Sequence, residues 1–153
     1  MSPRAATRVR APAAPTLGIG EVAAAAGVST RTLRYYEERG LLVASHHAAG
    51  GARRYRPEDL ARLLRIRELQ ALLGFDLDAI GAILRGEDQL ADLRAEWATA
   101  DEQRRGAMLS EATDINNRLR AVVRAKQQGL DDMMAGLDDK ARRYRTLARE
   151  LDR

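Results

Sequence analysis

Arg31, Arg34 and Tyr35 crowd into one short stretch, STRTLRYYEERGLL from Ser29 to Leu42, and a second group, Arg53, Arg54 and Tyr55, follows it. A guanidinium can form paired hydrogen bonds with a guanine edge or a phosphate, and a phenol offers a rigid hydroxyl to a phosphate oxygen. Such groups bind rather than catalyse. The chain has no cysteine, its only histidines are the neighbours His46 and His47, and it lacks a glycine-rich phosphate loop. Disulfides, thiolate metal sites and cysteine-held iron–sulfur clusters are therefore excluded together. Adjacent side chains diverge, so the histidine pair in its Gly/Ala-rich loop reads as a solvated turn rather than a metal site. Carboxylates are numerous but fall on charged helix faces, so neither an enzyme nor a cofactor is expected.

Something must hold the cationic groups on one surface. At about 100° per residue, Thr32, Leu33 and Tyr36 fall on one side of a helix and Arg31, Arg34 and Glu38 on the other, with Tyr35 at the margin. Tyr36 belongs to the core, and Glu37 reads as the structural partner of a neighbouring arginine. A helix over roughly Gly20 to Ala26 precedes, and Ala23-x-x-x-Gly27-Val28-Ser29 joins the two. The small residue permits close approach, glycine tolerates a left-handed turn, and Ser29 caps the second helix, with Val28 and Leu33 in the positions of a hydrophobic staple. This is a helix-turn-helix. Gly40 ends the second helix, and Leu41-Leu42 return to the core. From Val43 to Arg56 the chain reads as two short strands around a loose turn, a wing braced on the helices.

Pro57, Glu58 and Asp59 open a third helix whose apolar face includes Leu60, Leu63, Ile66 and Leu69, with Arg62, Arg65 and Arg67 read as a solvated face. Gly74 ends that run. Asp76 caps a fourth helix, with Phe75 and Ile80 as its staple, expected to stop near Gly86. Farther on, Met108, Ala112, Ile115, Leu119 and Val122 are spaced four, three, four and three. A helix this long has too little partner surface within its own chain, so the seam is assigned to dimerisation. Lys126 and Gly129 predict a break, after which Leu130, Met134, Leu137, Ala141, Tyr144, Ala148 and Leu151 repeat the alternation. That series folds back, packs across the dimer, or binds another protein. The segment Gly86 to Gly106, with Trp97 in its middle, either begins the long helix or forms a short one.

Composition agrees with small cores and long solvated helices: of 153 residues, 31% are charged and 4% aromatic. The net charge of +4 hides an asymmetry. Through residue 70 there are twelve arginines against six acids, or +6, which leaves −2 for the remainder. A basic front suits a polyanion. No apolar run approaches the ~18 residues that span a bilayer, so no membrane partner and a cytoplasmic location are expected. Residues 1–16 carry arginines without an apolar block after them and read as a disordered arm rather than a secretory signal.

The ordered set IGEVA (19–23), GVSTRTLRYYEERGLL (27–42), RRY (53–55), EDLARL (58–63) and GFDLDAI (74–80) closely resembles the MerR family of bacterial transcription regulators. The match runs over about 17–86, and the helix after it agrees only in type. The resemblance implies a mainly α fold: a winged helix-turn-helix DNA-binding domain at 17–86, a linker and coiled-coil dimerisation helix at 87–128, and a short C-terminal helical effector or interaction segment at 129–153. It implies that Thr30, Arg31, Arg34 and Tyr35 face the major groove and that Arg53 and Tyr55 form wing contacts; from their charge, at least one of Arg53 and Arg54 is expected to contact the backbone. The implied partners are double-stranded promoter DNA, a second copy of the chain in an antiparallel coiled coil, RNA polymerase at the promoter, and a small-molecule or protein effector at the C-terminal segment. The chain departs from the family pattern at Ala52, where a bulky residue is usual, and at Arg56, where Ser or Thr commonly caps the third helix. It also lacks the cysteines of metal and redox sensors, and with only about two dozen residues after the first seam the substantial C-terminal domain of drug-binding members is not expected. A dimeric regulator of a pseudo-palindromic promoter site, activating by bending and untwisting DNA, is the leading expectation. A repressor, a DNA-placed adaptor for a protein partner, and an architectural factor are the alternatives.

Overall fold

The structure is a computed structural model that describes residues 16–44, 46–47 and 51–152. The expected arm at 1–16 lies outside the described residues except for Thr16. The chain divides into two compact units, 1–72 and 73–153.

In the first unit, β1 (Leu17–Gly18) leads into α1 (Ile19–Ala26) and α2 (Thr30–Glu38), followed by β2 (His46–His47), β3 (Arg53–Tyr55) and α3 (Pro57–Arg67). α1 stops because Gly27 takes φ 64°, which lets its N–H reach the Ala24 carbonyl at 3.0 Å and the Val28 N–H reach that of Ala23 at 2.9 Å. α2 starts two residues later, where the Ser29 hydroxyl accepts the Thr32 N–H at 3.0 Å. It ends by the same device as α1: Gly40 at φ 69° donates to the Glu37 carbonyl, and Leu41 donates to that of Tyr36, each at 2.9 Å. Leu41 and Leu42 then enter the core.

β3 lies between β1 and β2, antiparallel to both, with Tyr55 opposite Leu17 and Arg54 opposite Gly18 on one side and His46 on the other. The wing hairpin follows the sequence expectation. β1 was not anticipated, since two residues show no periodicity and one of them is a glycine. At α3, Arg56 supplies no side-chain cap; instead the Asp59 carboxylate accepts the Arg56 N–H at 2.7 Å, and Pro57 has no N–H to satisfy. A wider π-type turn, Glu68–Leu72, continues the helix before Gly74.

The arginines of α3 correct the expectation of a solvated face. Arg62 donates from Nε to the Leu41 carbonyl at 2.6 Å, Arg67 donates to the Ala26 carbonyl, and Arg65 pairs with Glu68 at 2.6 Å. Two of the three therefore hold backbone carbonyls of the helix-turn-helix, at the end of α1 and just beyond α2. Arg67 fills the space beside Gly27, where an added Cβ would sit 2.9 Å from its guanidinium.

In the second unit, α4 (Leu77–Glu96) and α5 (Glu102–Leu151) form a hairpin. Asp76 caps α4 through the Ala79 N–H at 2.8 Å, and Asp101 caps α5 through the Arg104 N–H at 2.7 Å. Two sequence expectations are corrected here. α4 does not stop near Gly86, because that glycine is a buried contact in mid-helix: a Cβ there would lie 2.7 Å from Leu119 Cδ2. Nor does α5 break at Lys126 and Gly129; it runs unbroken for 50 residues, since one glycine costs a long helix only about 1 kcal/mol. Lys126 reaches back instead, donating to the Gly74 carbonyl at 2.7 Å. The segment around Trp97 resolves into the end of α4 and the turn before α5.

The length of α4 changes the reading of the 108–122 seam. Met108 and Ile115 are buried within the single chain, and Leu119 packs over Gly86. The partner surface judged missing from the chain is supplied by α4. Where the two helices meet at the turn, Arg104 bridges Glu96 at 2.7 Å and Glu111 at 2.6 Å. Arg105 stacks 5.5 Å from the Trp97 ring centre. Beside it lies an apolar recess of about 390 Å³ lined by Leu90, Leu93, Trp97, Met108 and Leu109, with Arg94 as its one charged wall.

Candidate nucleic-acid interface

α2 has two chemically distinct faces because its sequence alternates with helical period. Leu33 and Tyr36 are buried, and the Tyr36 hydroxyl donates to Gln70 Oε1 at 2.6 Å, which fixes the helix to the turn after α3. Burial raises the Tyr36 pKa, against the lowering effect of the Arg67 cation. On the other face Thr30, Arg31, Arg34 and Tyr35 are all exposed, Tyr35 by 46%. At about 100° per residue they share an arc of about 140°. Among the described residues no ion pair engages Arg31 or Arg34, and the Arg34–Glu38 pair that helical spacing permits is absent. Two cationic forks therefore stand free on one side of a short helix, with its N-terminal end, itself partly positive, beside them.

The wing adds a second cationic group with mixed assignments. Arg53 is exposed and Arg54 partly so, while Tyr55 is fully buried. Tyr55 thus corrects the expectation of a wing contact: its hydroxyl donates inward to Glu37 Oε1 at 2.7 Å. Burial, then the bond to Glu37, push its pKa well above the ordinary phenol value. Strand alternation puts Arg53 on the same face, where its guanidinium lies 3.3 Å from Glu37 Oε2, and turns Arg54 to the opposite face, over Gly18. Sequence reading named the α2 residues and the two arginines, which the structure leaves exposed or partly exposed. It placed Glu37 beside an arginine without saying which, and it turned Tyr55 outward, since a tyrosine next to arginines gives no sign of which way a three-residue strand faces.

The residues assigned to dimerisation are distributed differently. Met108 and Ile115 are buried, and Ala112, Leu119 and Val122 are partly so, all within the second unit. The exposed apolar side chains of α5 are others: Leu109, Val123, Leu130, Met133, Met134, Leu137, Tyr144, Leu147 and Leu151. Among the described residues no group of three His, Asp or Glu side chains could hold a metal ion, and no helix is long and apolar enough to cross a membrane.

Comparison with known proteins agrees with this geometry. Residues 17–87 match the MerR HTH family of regulatory proteins. The mercuric resistance operon regulatory protein of Pseudomonas fluorescens is 38% identical over 108 residues, which cover 62% of this chain and 73% of that protein. Nodulation protein NolA of Bradyrhizobium sp. (strain NC92) is 38% identical over 122 residues, 78% of this chain and 49% of the relative, so the chain spans about half the length of that protein. A solved MerR family transcriptional regulator from Listeria monocytogenes shares the fold, with a TM-score of 0.51 and 24% identity over 84% of this chain and 85% of that one. The helix-turn-helix, the small hairpin and the long terminal helix are thus accounted for together: the chain belongs to the MerR family of helix-turn-helix regulatory proteins, a family of transcriptional regulators and not of enzymes.

Proposed function

We propose that this protein is a dimeric, cytoplasmic regulator that binds a pseudo-palindromic promoter site, with α2 in the major groove and the wing on the flanking backbone. The observation that carries the reading is the exposed pair Arg31 and Arg34 on the polar face of α2, without an ion-pair partner among the described residues and with Thr30 and Tyr35 beside them. Arg31 and Arg34 would read base edges, Thr30 and Tyr35 would meet phosphate, and Arg53 and Arg54 would hold the backbone from the wing. Tyr55 has no such role here, because its hydroxyl is committed to Glu37.

The apolar residues left exposed on α5 support a homodimer. Leu130, Met134, Leu137 and Tyr144 recur at helical spacing along a solvated rod, the pattern of a helix that lacks its partner. An antiparallel pairing of two α5 helices would cover them, and would present two α2 helices to successive turns of a duplex. The seam of that pairing lies on the residues that α4 leaves uncovered rather than on Met108 and Ile115. Activation by bending and untwisting a promoter, with RNA polymerase already in place, is the mode the family suggests. Repression would use the same contacts, and the exposed Met133 and Met134 would suit an effector or protein partner of an adaptor.

Selection of duplexes from a random pool, followed by footprinting, tests the reading. A short palindromic motif protected on two successive turns is expected. Equal affinity for selected and random duplexes would refute it.

A further inference from the structure

Glu37 stands between the exposed face of α2 and the wing, and its carboxylate is incompletely satisfied. Oε1 accepts the Tyr55 hydroxyl at 2.7 Å, whereas Oε2 is buried without a hydrogen-bond partner and lies 3.3 Å from Arg53 Nη1. The two members of this ion pair differ in exposure, 13% for the Glu37 side chain and 45% for that of Arg53. A buried carboxylate oxygen with no aligned donor depends on the nearest cation for compensation. The guanidinium is less bound by the arrangement, since solvent or another anion can reach it. Arg54 points to the other face of β3, and no carboxylate of the described residues pairs with it.

We infer that Glu37, on α2, is an affinity-limiting residue for the wing: its carboxylate competes with DNA phosphate for the Arg53 guanidinium and so limits how tightly the wing grips a duplex of any sequence. The inference rests on the DNA-binding reading above. Each phosphate fully neutralised by a cation contributes ~0.9 to the slope of log affinity against log salt. An arginine shared with a carboxylate contributes only part of that, and Arg54 contributes its whole share. Phosphate contacts carry no base information, so damping one lowers affinity for every sequence alike and leaves base reading by α2 intact.

Fluorescence anisotropy of the full chain on a labelled random-sequence duplex, across a salt series, tests this with Glu37→Gln, Arg53→Gln, Arg54→Gln and the Glu37→Gln/Arg53→Gln double variant. Glutamine keeps an oxygen for Tyr55 and removes the charge. Glu37→Gln is expected to bind random duplex about threefold to tenfold more tightly, with a steeper slope by up to ~0.9, and to lose that gain when Arg53 is also replaced. An unchanged slope overturns the inference. So does a gain that persists without Arg53, which would mean only the loss of a negative charge. If Glu37→Gln folds poorly, the exposed arginines decide: Arg53→Gln should flatten the slope less than Arg54→Gln, and equal losses overturn the competition. Thermal midpoints of the four-member cycle read the ion pair without DNA; coupling is expected, and additive midpoints would refute the pair. Absence of salt-dependent duplex binding by every protein, wild type included, would instead sink the DNA-binding reading and the competition with it, while the thermal cycle still judges the pair.

Discussion

Arginine plays two opposed parts in this molecule, and its partner decides which. Arg62 and Arg67 spend their donors on the carbonyls of Leu41 and Ala26, so they are internal struts. Arg31 and Arg34 spend theirs on nothing within the described residues and remain available to a ligand. Replacing Arg34 by Ala should therefore cost ~1–3 kcal/mol of specific affinity and relax one base position, measurable by titrating operator variants, while the thermal midpoint stays near that of the wild type. Tyr55 should behave in the reverse way. Tyr55→Phe removes the donor to Glu37 Oε1 from a part-buried hydrogen bond, so a loss of ~1–3 kcal/mol in stability is expected, read by denaturant titration. The periodicity of α2 made its exposed face legible in the sequence. The partners of Arg62, Arg67 and Tyr55 were not, because they lie 18 to 41 residues away along the chain and no local pattern encodes a contact at that distance.

Helix ends repeat the lesson at the next scale. Gly27 and Gly40 were readable as stops, since each follows an amphipathic run and needs only its own left-handed backbone. Gly86 looked the same in sequence and is the opposite, a helical residue chosen for the absence of a side chain beneath Leu119. The two kinds of glycine should answer alanine differently. Gly129 has open space around it, so Gly129→Ala should add about 0.5–1 kcal/mol through helix propensity. Gly86→Ala should be net destabilising, because overpacking of about 1–3 kcal/mol exceeds that gain. Thermal melts of the two variants settle the sign. At the α4–α5 turn, the hydrogen bond from Arg104 holds the Glu96 carboxyl below its usual value of 4.5. A carboxyl lowered on folding stabilises above its unfolded pKa and loses that contribution as pH falls through the folded one. The hairpin should therefore loosen below about pH 4.5; helical ellipticity should record this, and Arg104→Gln should move the acid transition to higher pH.

At the scale of the chain, charge and apolar surface divide the labour. The first 70 residues carry +6 and the remainder −2, which was legible at once, and so was the presence of a long terminal helix. Which of its stripes is free to pair was not legible, because that depends on how far α4 extends. The two apolar series of α5 now predict different phenotypes. Leu137→Glu, on an exposed position, should convert dimers to monomers in sedimentation without unfolding the hairpin. Met108→Ala, on a buried one, should cost ~2–5 kcal/mol of hairpin stability. A dimer that survives Leu137→Glu and Met134→Glu together would place the interface elsewhere. The sole tryptophan of the chain, half-wet under the Arg105 cation at the hairpin turn, is also an intrinsic optical probe. Its emission colour and its quenching by iodide should register whether the turn is open, shut or occupied, so the state of the second unit can be followed with no dye attached.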